Sequence, residues 1–95
     1  MKVIVEAEAA RWYKKEMALQ DGDQLHVFVR LGGCGSVQPG MSLGIMKENA
    51  TGPNIHQTVE GIDFYMLEEQ LWYLDEKDLH IRYDAKHDEA YFHVE

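Results

Sequence analysis

The clearest pattern along the chain lies between Gln24 and Leu31, where Leu25, Val27, Val29 and Leu31 alternate with His26, Phe28 and Arg30. A period of two puts the aliphatic set on one face of a β-strand and the other set on the opposite face. The alternation returns near the end, with Leu79, Ile81 and Tyr83 interleaved by His80 and Arg82, then Ala90, Phe92 and Val94 interleaved by Tyr91, His93 and Glu95. The polar stretch 84–89 between these runs reads as a turn, so together they predict a hairpin. Matching the apolar faces sets Tyr83 opposite Ala90, Ile81 opposite Phe92 and Leu79 opposite Val94. That register places His80 opposite His93 on the less apolar face.

The remaining segments are shorter. Lys2 to Val5 is strand-like. Glu8 to Leu19 holds good helix formers, with Ala10, Tyr13 and Met17 on one face, and Asp21-Gly22-Asp23 is the expected stop because glycine accepts the left-handed conformation at a helix end. A Pro39-Gly40 turn leads into a strand over Met41 to Met46. After a polar loop containing Gly52-Pro53, Ile55 to Glu60 and Ile62 to Met66 read as strands hinged at Gly61. Leu67, Leu71 and Leu74 suit a short helix, whose positive end Glu68-Glu69 would favour. The sum is an α+β domain, mainly β, of about seven strands and two short helices.

At 95 residues the chain has room for one domain, 1–95, and its 45% hydrophobic and 11% aromatic content is ordinary for a globular fold. No apolar run approaches the ~18 residues of a membrane span, and Glu6 interrupts the N-terminal apolar run before a signal-peptide core forms. A lone cysteine makes no internal disulfide, which agrees with a reducing, cytoplasmic location. The balance of 17 acidic against 9 basic residues, net −8, leaves no footprint for phosphate backbones, so nucleic acid is excluded as a partner. The same charge would steer the chain toward a basic partner or a cation.

Chemistry centres on Cys34 in Gly32-Gly33-Cys34-Gly35. Phosphate-binding glycine loops run into a helix whose amides meet the anion; here a turn and another strand follow, so that reading is rejected. A cysteine among small residues is open to a metal, an oxidant or a substrate, and its thiolate is a soft ligand for iron, zinc or copper(I). The bland reading is a small packed hydrophobe, the commoner fate of a free cysteine. A cysteine–histidine nucleophile or a redox sensor would need a base that no spacing assigns. His80 and His93 are the one histidine pair with a geometric argument for sharing a cation, against the commoner outcome of two solvated rings. Glu68-Glu69, Asp75-Glu76 and Asp88-Glu89 read as solvated surface, and Phe64, Tyr65, Trp72, Tyr73, Tyr83 and Phe92 read as core. An exposed surplus of aromatics would mark a dimer face.

The order of segments carries a resemblance. Val3 to Leu19, Val29-Arg30-Leu31-Gly32-Gly33-Cys34-Gly35, Gly61-Ile62-Asp63-Phe64 and Leu71-Trp72-Tyr73-Leu74-Asp75 together resemble the HesB-like family. That family includes the A-type carriers of iron–sulfur cluster assembly, and the likeness is greatest to its short single-cysteine members of the YneR type. It covers nearly the whole chain and implies a compact sandwich or pseudo-barrel. It also implies that Cys34 serves as a ligand to iron or an iron–sulfur cluster, with a homodimer and an assembly or client protein as partners. The carriers add two cysteines in a C-terminal Cys-Gly-Cys tail, where this chain has Tyr91-Phe92-His93-Val94-Glu95. A cluster normally takes about four thiolates and a homodimer supplies two, so His80, His93, a carboxylate or an external thiol would complete the shell. The alternative is a HesB-like scaffold that acts as an interaction or regulatory module without a cluster.

Overall fold

The computed structural model describes residues 1–32 and 38–95. Cys34 therefore lies outside the described residues, as does the rest of the glycine loop after Gly32.

The elements follow the order β1 (Val3–Val5), α1 (Ala7–Glu16), β2 (Gln24–Leu31), β3 (Met41–Lys47), β4 (Asn54–Val59), β5 (Ile62–Leu67), a 3-10 helix η1 (Glu68–Leu74), β6 (Leu79–Asp84) and β7 (Glu89–Val94). They form an α+β fold, mainly β, with two mixed sheets. One sheet has the order β1-β6-β7 and the other β3-β2-β5-β4. β1 runs parallel to β6 and β2 parallel to β5, while the other neighbours are antiparallel. The sheets meet where the Val5 amide donates to the Gln57 side-chain oxygen, 2.6 Å away, joining β1 to β4.

Alternation decides what is buried. Leu25 and Val27 of β2 share one core with Ile62, Phe64 and Met66 of β5 and Val3, Val5, Leu79 and Ile81 of the other sheet. Each such side chain contributes about 1.5–3 kcal/mol by leaving water. α1 packs on β6 and β7, burying Ala9, Ala10 and Tyr13, and Tyr13 meets Phe64 edge-on at 6.0 Å. No helix among the described residues is long and apolar enough to cross a membrane.

The β6–β7 register is the expected one, with Tyr83 facing Ala90, Ile81 facing Phe92, Leu79 facing Val94 and His80 facing His93. The β4–β5 turn is made by Glu60 (φ 55°) and Gly61 (φ 77°), whose left-handed angle favours glycine, and a Cβ on Gly61 would also displace the Asp21 side chain, whose Oδ1 lies 2.5 Å from its position.

One expectation needs correction. The helix ends at Glu16, not at Asp21-Gly22-Asp23: the Leu19 amide reaches back to the Lys14 carbonyl (2.8 Å) and the Ala18 amide to that of Lys15 (3.3 Å). This is a Schellman closure with Ala18 at φ 50° in the left-handed position, and burial of Leu19 fixes it. β2 leaves the core toward its end: its parallel pairing with β5 stops at His26 opposite Tyr65. Beyond it the Val29 amide donates to the Gln70 side-chain oxygen at 3.2 Å, and Leu31 is 85% exposed.

Candidate functional site

Three regions hold the chemistry. The first is the end of the β2–β3 hairpin, which leads into the segment containing Cys34. On its described side the Gly32 amide donates to the Gly40 carbonyl (2.7 Å) and the Ser42 hydroxyl to the Gly32 carbonyl (3.0 Å). Gly32 has φ 90°, a conformation that suits glycine.

The second lies on the outer face of the three-stranded sheet. His80 and His93 are cross-strand partners with ring centroids 6.3 Å apart. Both rings converge on Glu95, with His93 Nε2 3.3 Å from Oε2 and His80 Nε2 3.9 Å from Oε1. The Arg82 guanidinium donates to the same carboxylate. The Arg82 hydrogen bond, followed by that from His93, holds Glu95 below the usual carboxylate range. The pair expected from sequence is thus brought together, and it sits with Arg82 around one anion. Arg82 and Glu95 were missed, although strand periodicity places them on the face of His80 and His93. Among the described residues no group of three or more histidine, cysteine or acidic side chains is arranged to hold a metal ion.

The third comprises the surfaces flanking the four-stranded sheet. The loop after β3 folds back over its outer face. The Tyr65 hydroxyl donates to the Glu48 carbonyl at 2.8 Å, the Ala50 amide donates to the Gln24 side chain at 3.0 Å, and His26 Nδ1 lies 2.9 Å from the Glu48 carboxylate. His26 is thereby buried to 7% exposure and stacked on Tyr65 with centroids 4.9 Å apart, and its Nε2 has no hydrogen-bond partner among the described residues. Nothing local in the sequence signalled this, because the covering contacts are non-local.

Where that loop meets η1, a groove of about 400 Å³ opens, lined by Thr51, Gly52, Pro53, Leu67, Glu68 and Glu69. A smaller groove of about 250 Å³ lies on the other side of the molecule, by the three-stranded sheet, beside α1 and past Trp12, Tyr83 and Asp88. There the Trp12 indole donates to the Asp88 carbonyl (2.8 Å) and the Tyr83 hydroxyl to the Asp88 carboxylate. Of the aromatics expected in the core, Phe64 and Tyr73 are buried in it and Tyr83 and Phe92 pack against it, Tyr65 is buried instead under the loop after β3, and Trp72 is 55% exposed.

No family model matches the sequence. Over 92 residues it is 40% identical to a Bacillus subtilis (strain 168) protein, Pyruvate dehydrogenase inhibitor, with 97% of each chain covered. Over 84 residues it is 30% identical to an uncharacterized protein of Staphylococcus saprophyticus, covering 85% of this chain and 86% of that relative.

Proposed function

The chain belongs to the family of the Bacillus subtilis pyruvate dehydrogenase inhibitor, and from that premise we propose that it is a protein-binding inhibitor whose target is pyruvate dehydrogenase. The observation that carries this reading is the extent of the match. It runs through 97% of both chains, so the likeness extends to every strand and both helices and is not confined to a borrowed segment. In this reading the protein has no catalytic residue of its own and acts by occupying a surface. A standard interface takes about 800 Å² from each partner, which a domain with 5674 Å² of accessible surface can supply from one side.

The test is a titration of the purified protein into the host's pyruvate dehydrogenase complex, following NADH formation together with co-elution. A dose-dependent loss of rate with a co-eluting complex is expected. Full activity and no co-elution at protein well above the enzyme concentration would remove the reading.

A second reading is iron or iron–sulfur binding through Cys34, as the HesB-like resemblance implies, across a homodimer. The observation that favours it is the side-by-side placement of His80 and His93, two imidazoles on neighbouring strands. Against it, the carboxylate between them is engaged by Arg82. Anaerobic reconstitution with iron and sulfide separates the cases. Bound iron that disappears in Cys34→Ser supports this reading, and equal, featureless spectra for both proteins count against it.

A further inference from the structure

η1 presents a tryptophan to water. Trp72 is 55% exposed even though its neighbours Tyr73 and Leu74 are buried. A side chain of this size adds little to the fold from such a position, yet tryptophan is the residue type most enriched where a partner's binding energy concentrates. Side chains three apart eclipse along a 3-10 helix, so Glu69 stands in the same row as Trp72. Glu69 also lines the groove whose other walls include Pro53 and Leu67, so tryptophan and groove form one continuous surface.

The charge around this surface states what it would accept. Glu68, Glu69, Asp75 and Glu76 are all exposed, and their carboxylates make no hydrogen bond or ion pair among the described residues. Many acids elsewhere are engaged, among them Glu60 by Arg11, Asp21 by Lys14, Asp23 by Lys47 and Glu95 by Arg82, and the scattered Glu8, Glu16 and Glu89 do not form a cluster like these four within 68–76. Lys77 is the single cation within 68–78. An apolar floor with carboxylates on its rim fits an arginine or lysine whose stem lies on Leu67 and Pro53, with its charge against Glu68 and Glu69. An exposed indole one helical turn away adds a face for a second cation.

We propose that η1 and the adjoining groove are the docking surface for the inhibited enzyme, and that what docks is a basic, arginine- or lysine-bearing patch on that enzyme. The assignment rests on the inhibitor reading above. A second copy of this chain is a poor occupant, because each copy carries net −8 and the two would repel. Anionic surfaces are repelled for the same reason.

The experiment measures the affinity of the purified protein for the host's pyruvate dehydrogenase complex at low and high salt. Wild type is compared with Trp72→Ala, with Glu68→Gln/Glu69→Gln, and with the charge-matched control Glu8→Gln/Glu16→Gln. All substituted side chains are exposed, and circular dichroism verifies that each variant is folded. Loss of the anchor is expected to weaken binding roughly thirtyfold. Loss of the two rim charges is expected to weaken it about tenfold at low salt and to flatten its salt dependence, while the control stays within about twofold. Trp72→Ala and Glu68→Gln/Glu69→Gln both binding like wild type would overturn this surface and leave the inhibitor reading standing. A Trp72→Ala effect without any effect of the paired glutamine substitutions would overturn the basic occupant. A wild-type dimer by sedimentation that Trp72→Ala dissolves would replace the enzyme by a second copy. No binding by wild type would overturn the inhibitor reading and this assignment together.

Discussion

Phe28 of β2 lies across Gly44, its register partner on β3, so closely that a Cβ on Gly44 would stand 2.7 Å from the ring's Cζ and 2.9 Å from its Cε2. The glycine here serves a close approach and not a special backbone angle. The aromatic ring covers the bare backbone that a glycine leaves in a strand. Gly44→Ala is expected to force the ring aside and destabilise the fold by about 1–3 kcal/mol. In a Phe28→Ala background the same change should cost much less, because the only close atom left is the Arg30 Cδ at 3.3 Å, on a flexible side chain. A double-mutant cycle in urea measures this coupling, and equal penalties in the two backgrounds would refute the account.

Ala18 closes α1 at φ 50°, where a Cβ is crowded by the following carbonyl. Ala18→Gly relieves that crowding and gives back part of the gain through greater freedom in the unfolded chain. The expected net is a stabilisation of about 0.5–1 kcal/mol, seen as a rise of roughly 2–6 °C in Tm. A fall in Tm would mean that the Schellman closure is not formed in solution.

Asp63 links three strands through one carboxylate. Burial pushes its pKa up, but hydrogen bonds from Gln24 (2.9 Å), His56 (2.8 Å) and Thr58 (3.1 Å) together outweigh burial and hold the group below the ordinary value. A carboxyl with a lowered folded-state pKa contributes stability that is present above the unfolded value of about 3.9, and protonation on acidification removes it. Stability should therefore decline as pH falls through about 4 and continue to decline as the folded-state value is passed. Asp63→Asn should flatten this acid limb in denaturant titrations run at successive pH values. An unchanged limb would place the acid sensitivity elsewhere.

The alkaline side has its own marker. Burial pushes the Tyr13 phenol up to about 12, and burial also raises Tyr65 and Tyr73. These groups stabilise the fold while the unfolded chain's phenols remain neutral, below about pH 10, and lose that contribution as pH climbs from there toward the folded-state values. Phenolate absorbance should lag behind a free-tyrosine titration and then jump at the unfolding transition. In Tyr13→Phe the denaturation midpoint should depend less steeply on pH above 10. Smooth ionisation at the free-tyrosine pKa would contradict the burial of Tyr13.

Strand alternation made the β6–β7 register readable residue by residue, because a slip of one position would turn Leu79, Ile81 and Phe92 out to water. It placed His80 against His93 for the same reason. The end of α1 was not readable, since the chain places a left-handed residue at Ala18 while a glycine stands four positions later, at Gly22. The partial cover of β2 was hidden too. The exposure of Leu31 depends on where β5 stops pairing and on the Gln70 side chain, which sits almost forty residues further along. The burial of His26 beneath the loop after β3 depends likewise on Tyr65 reaching Glu48. Trp72 was assigned to the core by its aromatic character, and only the three-residue period of η1 turns it outward while Tyr73 turns in.

The parallel pairing of β1 with β6 sets a schedule for making the protein. Val3 finds its ladder partner only at Leu79, and the Lys2 amide its acceptor only at Asp78. During synthesis the first strand therefore has no sheet to join until the sixth has left the ribosome, and it must stay out of mispaired contacts in the interval. An added tag or a nick at either end of the chain will for the same reason be felt at the other, since Lys2 and Glu95 bond from opposite sides to Asp78, at the start of the central strand β6.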